Sequence, residues 1–355
     1  MKNPVFDQML DDEILGARNS LSTDRLDMSF GEIMSMYERQ EIIIDPEFQR
    51  LFRWSDYQKT RFIESLLLGI PIPPIFVAED QNGRWELVDG LQRLSTVFSF
   101  FGILKGSEEK NNWVLEKGEL ISAIADYECN ELPLKFQLNI KRSVCRIEVI
   151  KWNSKIDMRY ELFNRLNTGG SPLTDQEIRN CIFRGVSSDF NNFLKRVANN
   201  ITFISIVSPT EKQRAELYLE ELVLRFASLY KNDQNIKQDI SVHMTEFMRD
   251  TIKENMFDYE VENLFLHVIA LLAELGKDVF RGKNGGFSTS LFEAITIGIA
   301  ENIGFYSSKG KDQISTRIEI LKADVDFENN MGSASNNKIR IANRLRISKK
   351  IFSVH

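Results

Sequence analysis

The stretch WELVDGLQRLSTVFSFFG, residues 85–102, decides how the first half of the chain folds. Alternating residues predict a strand, Gly90 a turn, and the apolar residues that follow at helical spacing a helix. Arg93 then falls in the first turn of that helix, where the helix dipole disfavours a cation by about 0.3–1 kcal/mol. A bound anion would remove this penalty. The stretch therefore raises the question of what balances the charge of Arg93.

Residues 89–93 carry the groups that a phosphate site uses. Gly90 lets a ligand approach the backbone, and the first N–H groups of the helix suit a phosphate. Gln92 adds a neutral donor, Arg93 a charged fork, and Asp89 a ligand for Mg²⁺. The spacing alone also fits a structural interpretation, in which Asp89 is only a helix cap and Arg93 only a surface residue.

Two further stretches carry similar chemistry. In DPEFQRLFRW, residues 45–54, Arg50 and Arg53 stand among aromatic residues, a combination able to clamp an anion and stack a base. In ELFNRLNTGG, residues 161–170, a helix end before a Gly-Gly turn presents Asn164, Arg165, Asn167 and Thr168. The alternatives are surface pairing of the two arginines with nearby acids, and a glycine-assisted join between two helices.

The chain divides into two parts. All four tryptophans lie in the first half and no proline follows Pro209, which suits a helical second part. We predict an α+β fold: a small mixed-sheet domain over 1–200, then an all-α domain over 201–355, with the boundary near 185–210. The predicted helices of the second part are 211–230, 241–255, 257–276, 288–301 and 311–323.

Composition excludes several classes of protein. The chain is 43% hydrophobic and 27% charged, and it has no apolar run long enough to span a membrane and no signal-peptide pattern. Three cysteines without C-x-x-C spacing argue against a disulfide framework or a thiolate zinc site, so we expect a cytoplasmic protein. Three histidines without metal-site spacing argue against a histidine-metal nuclease.

A basic segment, NKIRIANRLRISKK at residues 337–350, stands out in a chain of net charge −6. It contains no acid, and its cations are candidates for contact with a DNA backbone. These candidates are Lys338, Arg340, Arg344, Arg346, Lys349 and Lys350. The alternative is a solvated helix face whose Ile341 and Leu345 pack inward.

Four motifs in order, PEFQRLFRW, FIESLLLGIPIPPIFV, LVDGLQRLSTV and LFNRLNTGGSPLTDQEIR, resemble the N-terminal domain of GmrSD-type restriction endonucleases over roughly residues 20–185. The resemblance implies a ParB/sulfiredoxin-like fold and a nucleoside triphosphate (NTP) site with Mg²⁺. By matching positions, it implies catalytic roles for Asp89, Gln92 and Arg93. It implies metal ligation by Asp89 and Asn167, and nucleotide contacts by Arg50, Arg53, Gly90, Gln92, Arg93, Asn164, Arg165, Asn167 and Thr168.

Two departures from the family bear on activity. Leu91 replaces the first glutamine of the family's Asp-Gly-Gln-Gln-Arg motif, and the second part lacks the histidines of an H-N-H nuclease domain. The resemblance predicts an NTP-binding, hydrolysing module of a DNA restriction or anti-phage defence system. Leu91 counts against hydrolysis but not against binding, and the missing histidines imply a separate nuclease or defence subunit. One alternative is a non-hydrolysing, DNA-binding ParB-like protein that uses nucleotide as a switch. Another is a metal-dependent nuclease built on Asp89.

Overall fold

The computed structural model describes residues 4–44, 52–80, 82–152, 154, 161–162, 165, 174–184, 187–232, 236, 239–254, 259–332 and 334–354. The chain forms two compact units, Met1–Pro172 and Leu173–His355. The units divide earlier than the predicted domain boundary at 200/201, because helices within 175–198 pack with helices of the second unit. The mixed α+β class is confirmed, with a sheet in the first unit and mostly helices in the second. The ParB/sulfiredoxin-like fold stays a prediction.

The first unit combines a sheet with helices. Its elements are α1 (Pro4–Arg18), β1 (Thr23–Ser29), α2 (Phe30–Glu38), β2 (Ile42–Ile43), α3 (Asp56–Leu68), β3 (Ile75–Glu79), β4 (Trp85–Asp89), α4 (Leu91–Phe100), α5 (Leu134–Arg142) and β5 (Val144–Ile150). The five strands have the order β1-β5-β3-β4-β2. Pairing is antiparallel between β1 and β5 and between β3 and β4, and parallel between β3 and β5 and between β2 and β4.

Sequence pattern explains most of this sheet. Cys145, Ile147 and Val149 alternate along β5 and all three are buried, as their period of two predicts. Asn82-Gly83, a residue pair typical of hairpin turns, joins β3 to β4, and the Asp80 amide donates to the carbonyl of Arg84 at 2.8 Å. β4 therefore delivers the chain to Gly90 at the edge where α4 begins.

Helices α3 and α4 pack together beside the sheet. A capping box starts α3: the hydroxyl of Ser55 accepts from the Gln58 amide, and the Gln58 side chain accepts from the Ser55 amide. Along α4, Leu94, Val97 and Phe98 are fully buried, as their helical spacing predicts, whereas Phe101, which continues the spacing, lies just past the helix and is half-buried. This burial fixes the orientation of the residues at the start of α4.

The second unit is a set of packed helices. They are α6 (Asp175–Arg184), α7 (Ser188–Ala198), α8 (Ile201–Val207), α9 (Glu211–Ala215), α10 (Tyr218–Asn232), α11 (Ile240–Lys253), α12 (Tyr259–Ala273), α13 (Thr289–Ala300), α14 (Ile303–Lys309), α15 (Lys311–Ala323), α16 (Val325–Asn329) and α17 (Lys338–Phe352). Predicted helix 211–230 is broken near Leu217, whose φ of +57° interrupts a helix. Among the described residues, no helix is long and apolar enough to cross a membrane.

Candidate functional site

The turn between β4 and α4 requires a glycine. Gly90 has φ of +103°, in the left-handed region. A Cβ at this position would lie 2.8 Å from Cγ1 of Ile75, so a side chain meets both backbone strain and a clash. The close approach sets the first backbone N–H groups of α4 directly after the end of β4.

Arg93 finds its counter-charge within the protein. Its Nη2 donates to Oδ2 of Asp89 at 2.6 Å, and its Nη1 donates to the carbonyls of Pro73 at 2.6 Å and Pro74 at 3.1 Å. The side chain of Arg93 is 11% exposed and that of Asp89 is 41% exposed. The carboxylate of Asp89 thus offsets the penalty for a cation in the first turn of α4, without any ligand.

Gln92 joins the first and second sequence motifs. Its Oε1 accepts hydrogen bonds from the backbone amides of Arg53, at 3.0 Å, and Trp54, at 3.1 Å. This contact spans 39 positions of sequence and holds the loop before α3 against the start of α4. Gln92 is therefore a positioning residue for the loop that carries Arg53.

A second anchor of this loop went unrecognised in the sequence. Nζ of Lys110 donates to the carbonyl of Phe52 at 3.0 Å and lies 5.3 Å from the centre of its ring. Lys59 also faces the Phe52 ring, at 5.8 Å, and lies 4.2 Å from the ring of Trp113. No local motif marks Lys110, because it is far from Phe52 in sequence and ends a short 3₁₀ helix, Glu108–Lys110.

Two groups at this place face solvent. The side chain of Arg53 is exposed and makes no ion pair with a described residue, while Asp89 keeps much of its carboxylate accessible. Below them, burial raises the pKa of the Cys145 thiol to about 11, and the positive charge of Arg93 opposes this only in part. The thiol is thus buried and protonated at neutral pH, so it takes no part in the solvent-facing chemistry of the site.

Leu91 faces the core. Its side chain is 6% exposed, in line with the buried Leu94 and Phe98 farther along α4. A side chain at this position is therefore buried, whereas Arg53 and Asp89 keep solvent-accessible side chains. Among the described residues, no group of three or more His, Cys, Asp or Glu side chains is arranged to hold a metal ion.

The third sequence motif contributes little to the described geometry. Arg50, Asn164, Asn167 and Thr168 lie outside the described residues. Nε of Arg165 donates to Oε1 of Glu161 at 2.7 Å, in an exposed pair one helical turn apart. The described contacts therefore unite the first and second motifs, while a contribution of the third stays a prediction.

In the second unit, the structure corrects one candidate for DNA contact. Arg344 is buried, with 1% of its side chain exposed, and it binds the equally buried carboxylate of Glu293. Its Nη1 donates to the carbonyls of Asn330, at 2.9 Å, and Ser335, at 2.7 Å. A DNA backbone has no access to this guanidinium, because the apolar side of α17 packs inward and carries Arg344 with it.

The other five cations of the basic segment are closer to the surface. Nη1 of Arg340 donates to the carbonyl of Met331 at 3.1 Å, and Lys349 pairs with Glu301 at 2.7 Å. Lys338, Arg346 and Lys350 are exposed and make no ion pair with a described residue. The alternative interpretation is confirmed in one respect, since Ile341 and Leu345 are buried.

Comparison with known protein families relates part of the chain to a restriction enzyme domain. Residues 30–184 match the family model described as GmrSD restriction endonuclease, N-terminal domain, which covers less than half of the chain. The match contains the turn at Gly90 and the loop that carries Arg53. Searches of the curated proteins and of the solved structures found no match.

Proposed function

Residues 30–184 are a member of the GmrSD restriction endonuclease N-terminal domain family, and from this premise we propose that they bind a nucleoside triphosphate with Mg²⁺ at the start of α4. A domain of this family implies a module of a restriction or defence system. The observation that carries the proposal is the contact of Gln92 with the amides of Arg53 and Trp54, which brings two motifs together.

Each group at the site has a role in the proposal. The amides after Gly90 donate to phosphate oxygens, and the exposed guanidinium of Arg53 supplies the charge that phosphates need. Gln92 holds the Arg53 loop in place, and Arg93 orients Asp89. The guanidinium of Arg93 is already engaged by Asp89 and two carbonyls, so its contribution is positional.

Mg²⁺ fits this donor set. Mg²⁺ bound with a nucleotide commonly uses one or two carboxylates, with water and phosphate completing its shell. Asp89 offers an exposed carboxylate of which Oδ2 is held by Arg93. The ion would neutralise charge on the phosphates, with Asn167 as a second proposed ligand.

Hydrolysis is the less supported half of the prediction. Leu91 is turned into the core, so position 91 supplies no polar group for orienting water. The second candidate function is therefore nucleotide binding as a switch without turnover. Under both candidates, DNA cleavage by the system would depend on a separate nuclease subunit.

Titration calorimetry with ATP and GTP in MgCl₂ tests the site. Arg53→Ala removes an exposed side chain without a described ion pair, so the fold should persist while affinity falls about 10-fold or more, as expected for a bond to a charged group. Arg61→Ala, an exposed arginine on α3 paired with Glu119, is the matched control and should bind like wild type. Equal affinity in the two variants, or no binding of either nucleotide to the wild type, would contradict the proposal.

Phosphate release separates the two candidates. Release from ATP or GTP by the wild type that disappears in Asp89→Asn would support hydrolysis. Binding without release would support the switch.

A further inference from the structure

The solvent-facing side of α17 carries cations without acids. Residues 329–355 contain no Asp or Glu, although the whole chain has net charge −6. Lys338, Arg346 and Lys350 are exposed and stand at multiples of four residues, which places them along one inclined ridge of the helix. This set of three is called the basic ridge below.

The remaining side of α17 is committed to the protein core. Ile341, Leu345 and Phe352 are buried there, and α17 packs on α13 and α15. The acids that reach α17 are used by other cations: Glu293 binds Arg344, and Glu301 binds Lys349. The charge of the basic ridge is therefore left uncompensated among the described residues.

We propose that the basic ridge contacts the sugar–phosphate backbone of duplex DNA. Over the helical rise of 1.5 Å per residue, Lys338 and Lys350 are about 18 Å apart along the axis, with Arg346 about 6 Å from Lys350. Phosphates of one strand recur every 3.4 Å of DNA axis, so the ridge spans about five of them. The spacing of three long cationic side chains along a helix fits anions that repeat along a strand better than it fits a single compact ligand.

Two observations favour DNA over other anionic surfaces. A membrane-surface helix inserts its apolar face into lipid, but the apolar side of α17 is already buried in the second unit. The chain also carries a domain of a restriction system, whose target is DNA. Contacts with phosphates depend on charge and carry no information about the base sequence, so the ridge positions the protein on DNA without selecting a site. The inference is independent of nucleotide binding at α4.

Fluorescence anisotropy with a labelled 30-base-pair duplex tests the ridge. The variant is Lys338→Glu with Arg346→Glu and Lys350→Glu in the full chain. The matched control is Lys253→Glu with Lys277→Glu and Lys311→Glu, three exposed lysines of the same unit that are not part of α17, which change the net charge equally. Circular dichroism and urea unfolding check that both variants fold.

We expect the ridge variant to bind the duplex at least about 10-fold more weakly than the control at 100 mM salt. The slope of log K against log salt should fall by about 0.9 for each phosphate that the ridge no longer neutralises, up to about 2.7 for three phosphates. The weakening should be the same for a duplex of scrambled sequence. Equal affinity of ridge variant and control, or a wild type that does not bind duplex DNA, would overturn the proposal. Binding of the wild type to polyglutamate but not to DNA would assign the ridge to an acidic protein and would also overturn it.

Discussion

The start of α4 and the buried charge cluster around Glu293 use the same residue types in opposite surroundings. Both hold an arginine that the sequence suggested as a ligand contact, Arg93 in one and Arg344 in the other. Asp89 is 41% exposed, whereas Glu293 and Arg344 are each 1% exposed. A half-exposed carboxylate is able to bind a further partner. A buried carboxylate is not, because separating it from its arginine would leave an unpaired charge in the core.

The charge cluster around Glu293 consists of ion pairs between side chains of three helices. Glu293 accepts from Arg225 at 2.6 Å and from Arg344, and Arg225 also pairs with Glu221 at 2.8 Å. Burial acts to lower the pKa of Arg225, but the charges of Glu293 and Glu221 outweigh it and raise that pKa overall. The cluster ties α10, α13 and α17 together, which is a structural function.

The largest decrease in the free energy of unfolding is expected from Glu293→Ala. This variant leaves Arg225 and Arg344 buried without their shared partner, and removing one partner of a buried pair costs about 3–5 kcal/mol. Urea unfolding of the full chain measures the decrease in the free energy of unfolding. Glu301→Ala, which breaks the partly exposed pair with Lys349, is the control and should cost at most about 1 kcal/mol. A similar small decrease in both variants would show that Glu293 is not buried in the folded chain.

A smaller effect is expected from Arg93→Ala. The variant removes two bonds to carbonyls and the bond to Asp89, and the exposure of Asp89 reduces the cost to about 1–3 kcal/mol. Arg84→Ala is a matched control, because Arg84 also pairs with an aspartate four residues earlier but on an exposed hairpin. Arg93→Ala should unfold at a lower urea concentration than Arg84→Ala. The reverse order would contradict a stabilising role for the bonds of Arg93 at the start of α4.

Leu91→Gln is expected to lower the free energy of unfolding by about as much as Arg93→Ala, because it places an amide in the core. A buried amide without a partner costs about 1–3 kcal/mol, so the variant should be less stable than wild type. It should release no additional phosphate from ATP or GTP, because residue 91 is buried in the core. Leu68→Gln, at an exposed position of α3, should leave stability nearly unchanged. Undiminished stability together with faster phosphate release would mean that residue 91 faces the nucleotide and not the core.

The sequence predicted local elements well. The alternation of apolar residues matches the buried face of β5, and their helical spacing matches the apolar face of α4. Asn82-Gly83 is typical of the hairpin found there, and Ser55 with Gln58 is typical of the helix start found at α3. These features depend on residues within about one turn or one strand of each other, and local propensity and burial pattern determine them.

The partners of charged side chains were not predictable in the same way. The bond from the Arg53 amide to Gln92 and the bond from Lys110 to the Phe52 carbonyl join distant segments. Arg344 and Arg346 are two residues apart and both lie in a basic run, yet one is buried and the other exposed. They differ only in which side of α17 faces the core. A run of cations does not show that side, because it lacks the alternation of apolar and polar residues that would mark it.

Hydrogen–deuterium exchange of the full chain, with and without ATP or GTP in MgCl₂, tests the central claim most directly. The account predicts that nucleotide slows exchange in peptides that contain residues 52–54 and 90–93, and leaves α17 unchanged. The Arg53→Ala variant should show this protection only at higher nucleotide concentration. Nucleotide-dependent protection confined to other peptides, or no protection at saturating concentrations of both nucleotides, would contradict a nucleotide site at the start of α4.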